Sequence, residues 1–274
     1  MRVLGVDWSG AADPAAQRRG IWVADAVDGE LRSLSSGRTR LETVDHIMRS
    51  VEAEPDTLVA MDFSFGFPAW WISGCGAHDG PGVWERAAED GERWLHDCAP
   101  PFWGRPGKPR PNHLPGQSPW RRTEMELREG GLFPKSTFQI GGAGSVGTGS
   151  IRGMAALRAL RRSGMAVWPF DSCSPDRPLV VEAYPRWCSG PVVKSRSAAR
   201  LASLLASWPC VAPRYRRLVA ASEDAFDAAI TALCLSVHTG CPPPPWELHE
   251  VDHLEGRVWT PPFDHPSASG SAQP

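Results

Sequence analysis

Four acids stand where a sequence of this kind could do chemistry. Asp7 closes the apolar run Val3-Leu4-Gly5-Val6 and is followed by Trp8-Ser9-Gly10. Asp62 closes Leu58-Val59-Ala60-Met61 and is followed by Phe63-Ser64. A carboxylate at the end of a buried strand is costly unless it is paired or holds a metal. Glu182 interrupts the apolar run Leu179-Val180-Val181 and Ala183-Tyr184. Asp227, with Asp224 three residues earlier, lies among Phe226, Ile230, Leu233 and Val237, whose spacing is that of a buried helical stripe. The helix angle puts Asp227 at the edge of that stripe and Asp224 further toward solvent, so Asp227 is the better ligand. Each acid also has an ordinary reading. Asp7 and Asp62 could cap loops, Asp224 could favour a helix N-terminus, and Glu182 could pair with an arginine. Taken together, carboxylates gathered at a sheet edge repel one another and call for a divalent cation. Oxygen-only ligands favour Mg²⁺ or Mn²⁺.

Three other segments carry motifs. Between Phe102 and Thr123 there are five cations (Arg105, Lys108, Arg110, Arg121, Arg122) and no acid, with Trp103, His113 and Trp120 interleaved. Cations for phosphates and aromatics for bases suit a single nucleic-acid strand, and a solvated, proline-stiffened loop is the plain alternative. The glycine-rich stretch 141–150 leads into a helix at Ile151, and its amides could meet a phosphate. It lacks Gly-Lys-Ser/Thr, so it is no Walker A loop, and a flexible connector is the simpler reading. His249-Glu250-Val251-Asp252-His253 matches the H-E-x-x-H pattern of zinc metallopeptidases. Trp259 stands where the longer form of that pattern needs a third histidine, and the flanking sequence leaves little room for a helix.

The elements that must position these residues follow from periodicity. Strands are expected at 2–7, 20–26, 30–37, 57–62, near 165–170, and at 179–184, with a tight turn at Asp28-Gly29. Helices are expected at 41–53, 151–163, around 198–208 and at 222–238, with helical patches at 82–97 and 121–130. The chain has 274 residues, a net charge of -2, thirteen Trp and seven Cys without a CxxC pair. Global charge therefore does not advertise a polyanion partner, and the thiols read as reduced, in a cytoplasmic protein. No apolar run is long enough to span a bilayer, so no membrane partner is expected.

Gly5-Val6-Asp7-Trp8-Ser9-Gly10, Ala60-Met61-Asp62-Phe63-Ser64-Phe65-Gly66-Phe67-Pro68, Glu182-Ala183-Tyr184-Pro185 and Asp224-Ala225-Phe226-Asp227-Ala228-Ala229 resemble the domain-of-unknown-function family 429 (DUF429), the predicted RNase H-like nucleases. The segment Glu255-Gly256-Arg257-Val258-Trp259-Thr260-Pro261 is similar to that family's closing segment. The resemblance covers about residues 1–68 and 178–262. It implies an α/β fold: an RNase H-like mixed sheet, made of a three-strand meander plus parallel strands, flanked by helices. The domain would span 1–264, with a large irregular insertion at about 67–170 and a disordered tail at 265–274.

The resemblance further implies two-metal hydrolysis of phosphodiester bonds in DNA or RNA. Asp7 would bridge two Mg²⁺ or Mn²⁺ ions, Asp62 and Glu182 would hold one, and Asp227 with Asp224 nearby the other. With the cations and aromatics read above for the insertion, which the resemblance does not cover, Ser9, Ser64, Trp103, Arg105, Lys108, Arg110, Trp120, Arg121 and Arg122 would contact the nucleic acid. A catalytically silent nucleic-acid binder of the same fold is the first alternative. The zinc metallopeptidase through His249, Glu250 and His253 is the second.

Overall fold

The computed structural model describes residues 1–112, 114, 117–174, 177–238, 242–243 and 247–261. The expected tail at 265–274, part of the proline run 242–245, Cys241 and His113 lie outside the described residues.

The apolar runs become six strands: β1 (Arg2–Asp7), β2 (Trp22–Val27), β3 (Glu30–Ser35), β4 (Thr57–Asp62), β5 (Ala166–Val167) and β6 (Leu179–Glu182). They form one mixed sheet in the order β3-β2-β1-β4-β6-β5. β1, β2 and β3 make an antiparallel meander. Its hairpin turns at Asp28 and Gly29, which have φ of 48° and 81°, as a two-residue turn requires. β4 runs parallel to β1, β6 parallel to β4, and β5 parallel to β6.

Eleven helices are described: α1 (Pro14–Gly20), α2 (Arg40–Ala53), α3 (Ala69–Gly74), α4 (Gly80–Asp97), α5 (Arg122–Glu129), α6 (Gly147–Arg162), α7 (Pro185–Ser189), α8 (Ser197–Ser207), α9 (Pro213–Ala221), α10 (Glu223–Ser236) and α11 (Asp252–Glu255). One face of the sheet packs Leu4, Val6, Val59, Met61 and Val180 against α2, α4 and α6. The other packs Val3, Leu58, Ala60 and Val181 against α8, α9 and α10. The architecture is thus α/β, a mixed sheet between helical layers. The stretch 67–170, expected to be largely irregular, supplies α3, α4, α5 and α6 and so builds part of one layer.

α10 is buried on every side from Ala225 to Ser236. A helix enclosed in this way needs no single apolar stripe, and Val237, expected on that stripe, is exposed at the helix end. Gly5 lets α10 lie close against β1. A Cβ there would stand 2.5 Å from the Ala228 carbonyl oxygen and 2.8 Å from the Ala232 amide. Among the described residues, no helix is long and apolar enough to cross a membrane, and no cysteine forms a disulfide.

Candidate metal centre

The register of the sheet decides which acids meet. Asp7 pairs with Asp62 at the C-terminal ends of the parallel strands β1 and β4. Side chains alternate between faces, so Asp7 shares the α10 face with Gly5, and Asp62 shares it with Ala60. Asp227, in the second turn of α10, comes down onto the same spot. One carboxylate oxygen from each of Asp7, Asp62 and Asp227 lies within 4.8 Å of the other two. Among the described residues, this is the one group able to hold a metal ion.

The electrostatics are those of like charges taken out of water. Burial is the largest cause for every member of the group. It pushes Asp62 up to about 7, helped by Asp227 and partly offset by Lys194. Burial, then Asp62, Asp227 and Asp224, push Asp7 well above the ordinary carboxylate range. Asp227 and Asp224 are raised as well, first by burial, with Lys194 working against the rise. The Lys194 ammonium donates to Asp227 Oδ2 at 2.5 Å, whereas Asp227 Oδ1 is buried with no partner. Three converging carboxylates, one orphaned oxygen and a deficit of positive charge fit a hard divalent cation. Lys194 comes from the irregular segment before α8, and nothing in its local sequence marks it.

Glu182 does not join the cluster. Its register partner is Met61, so the pleat turns it to the face opposite Asp7 and Asp62. There its two oxygens accept from the Arg121 guanidinium, and Oε2 also accepts from the Phe65 amide at 2.9 Å. The ordinary reading of Glu182 as an ion-pair partner is the one its surroundings match. Asp224 stands beside the triad and lines the cleft above it.

That cleft has a volume of about 800 Å³, and Asp7, Asp62 and Asp224 line it together with Arg105, Arg152 and the loop 144–149. The glycine-rich loop therefore does border the acids, and α6 begins at Gly147, inside it rather than after it. A second cleft of about 310 Å³ lies beyond Gly144 and Val146, again reaching Asp62.

The other expected contact residues divide. Arg105 faces the large cleft, and Lys108 is exposed on the turn beside it. Arg110 stacks over Trp103 at 5.7 Å and over Trp120 at 4.9 Å, and Arg128 over Trp120 at 4.4 Å. Both indoles thus have protein cations against them. Arg121 is fully buried between Glu124 and Glu182. Arg122 pairs with Glu126 and Asp252, and its amide donates to Glu255 Oε2 at 2.6 Å. These two arginines clamp α5 to the C-terminal segment instead of facing a ligand. Ser9 Oγ accepts from the Ala11 amide, and buried Ser64 lines the smaller cleft.

The histidine motif is not laid out on a helix. α11 begins at Asp252, after His249, and His249 Nδ1 accepts from the Val251 amide. Asp252 is buried against Arg122 and Arg257. Comparison of the chain with protein-family models, with curated proteins and with solved structures gives no match.

Proposed function

We propose that the protein is a divalent-metal-dependent nuclease of RNase H-like plan, with Asp7, Asp62 and Asp227 as its metal ligands. The observation that carries the reading is the convergence of these three oxygens, with Asp227 Oδ1 unpartnered, beneath an open cleft. The strand order supports the fold half of the reading. It is a meander followed by parallel strands, with the first aspartate on the central strand, as the family resemblance implies. When bound, Mg²⁺ or Mn²⁺ would polarise the phosphate and lower the pKa of a water that attacks it. Asp7 and Asp62 hold their oxygens at fixed strand ends, and α10 holds Asp227 above them. Arg105 at the cleft rim is placed to meet phosphate oxygens, whereas the Arg152 guanidinium is held by Glu92 and the Gly10 carbonyl. For a second ion, Asp224 is the remaining carboxylate, since both oxygens of Glu182 are committed to Arg121.

The test is cleavage of single-stranded, duplex, branched and hybrid oligonucleotides with Mn²⁺. The expected result is cleavage of at least one substrate, reduced by about a hundredfold or more in Asp7→Asn. Equal cleavage by Asp7→Asn would contradict the reading. Metal binding without cleavage of any substrate would favour a silent binder.

A further inference from the structure

We propose that the cleft between Asp62 and Phe133 is a nucleotide subsite, in which one unstacked base of a single strand lies on the Phe133 ring. This rests on the nuclease reading and specifies its substrate as single-stranded or locally opened nucleic acid.

The cleft has about 310 Å³, and Asp62, Lys135, Tyr184, Arg186, Lys194 and Phe133 line it. That volume is at the lower end of what small-ligand pockets span, roughly 300–1,000 Å³. The cleft borders two others. It shares Asp62, Phe63, Gly144 and Val146 with the large cleft over the acids. It shares Phe133, Tyr184 and Arg186 with a further cleft of about 660 Å³ on its far side. The three clefts therefore adjoin in a row, with Asp62 at the border of the first two, as a strand passing from one to the next requires.

Phe133 is 68 % exposed, the most open aromatic ring described. It ends a ladder in which Trp103, Arg110, Trp120, Arg128 and Phe133 alternate, with the Arg128 guanidinium 5.6 Å from its centroid. Trp103 is buried and Trp120 is half-buried with two guanidiniums against it, whereas Phe133, touched by Arg128 alone, is exposed and keeps room to receive a base. Lys135 and Arg186 line the same cleft as Phe133 and Asp62 and have no acidic partner among the described residues, Arg186 donating to the Val192 carbonyl, so both can meet the flanking phosphates. A base paired within a duplex is stacked and cannot lie on such a ring, whereas a splayed base can.

The experiment is fluorescence anisotropy with a labelled oligothymidine and the wild-type protein in chelator, where no cleavage occurs. Single-strand binding is expected, stronger than for a duplex of equal length. It should weaken about tenfold or more in Phe133→Ala and be retained in Phe133→Trp. Binding that is unchanged in Phe133→Ala, or a preference for duplex, would overturn the subsite. Because no metal is present, this result stands apart from the cleavage test. Loss of the subsite leaves the metal site intact, and absence of Mn²⁺-dependent cleavage leaves the binding result standing.

Discussion

Asp7, Asp62 and Asp227 gather up to three negative charges out of water, and among the described residues the ammonium of Lys194 alone stands against them. Lys194 holds Asp227 Oδ2 and leaves Oδ1 to a metal, so lysine and cation would share one carboxylate and repel each other across it. In Lys194→Met, Mn²⁺ affinity measured by calorimetry is expected to rise, and the metal-free protein to lose about 1–3 kcal/mol of stability. Unchanged affinity would mean that Lys194 does not oppose the metal. The same charges set a pH dependence. The carboxyl of Asp62 moves from an ordinary 3.8 to about 7 in the folded protein, and Asp7 and Asp227 move in the same direction. Across that window the folded state keeps protons that the unfolded chain has already released. Stability in chelator therefore falls as pH rises from about 4 to about 7. Denaturant titrations across this range should show the fall, and Mn²⁺ should counter it at the alkaline end. A profile that rises with pH would contradict the burial of these acids as described.

The strands and α10 deliver the acids, and the tightest joint between them is Gly5. In Gly5→Ala the added methyl would meet the backbone of α10 at Ala228, which cannot swing aside as a side chain can. The expected cost is about 1–3 kcal/mol in unfolding experiments, together with weaker Mn²⁺ binding as Asp227 is lifted from the strand ends. A destabilised variant with full metal affinity would show that α10 does not position the site. The elements that carry Asp7 and Asp62 were legible because a buried strand ending on an acid is a local pattern, and β1 and β4 have the bounds that the pattern gives. Glu182 misled because its strand was legible but its register was not. A residue's face depends on which neighbour it pairs with, and that is settled only by the assembled sheet. Arg121 and Arg122 misled for a related reason: a cation in a proline-rich stretch looks the same whether it meets solvent or a buried glutamate. Some signals were present and unused. Asp13-Pro14 marks the start of α1, and Tyr215 and Val219 have the helical spacing of α9. Lys194 had no such signal, because only tertiary packing brings its segment to Asp227.

At the scale of the molecule, a chain of net charge -2 can serve a polyanion only through a local surface. The clefts around the acids carry Arg105, Lys135 and Arg186, and 67–170 furnishes a large share of their lining, the loop 144–149 included. What was expected as an insertion beside the site is therefore one of its walls. Two of the buried charge groups have separate tasks: Arg121 with Glu124 and Glu182 fixes the C-terminal segment, while the aspartates stay short of positive charge. Everything functional rests on that shortage being met by a metal ion. The most direct measurement is thermal melting of wild type and Asp7→Asn at mildly alkaline pH, with chelator and with Mn²⁺. With chelator, Asp7→Asn should melt higher than wild type, since it removes a buried charge that repels its neighbours. With Mn²⁺, the melting temperature of wild type should rise and that of Asp7→Asn should stay where it was. A rise of equal size in both proteins would contradict the metal centre proposed for Asp7, Asp62 and Asp227.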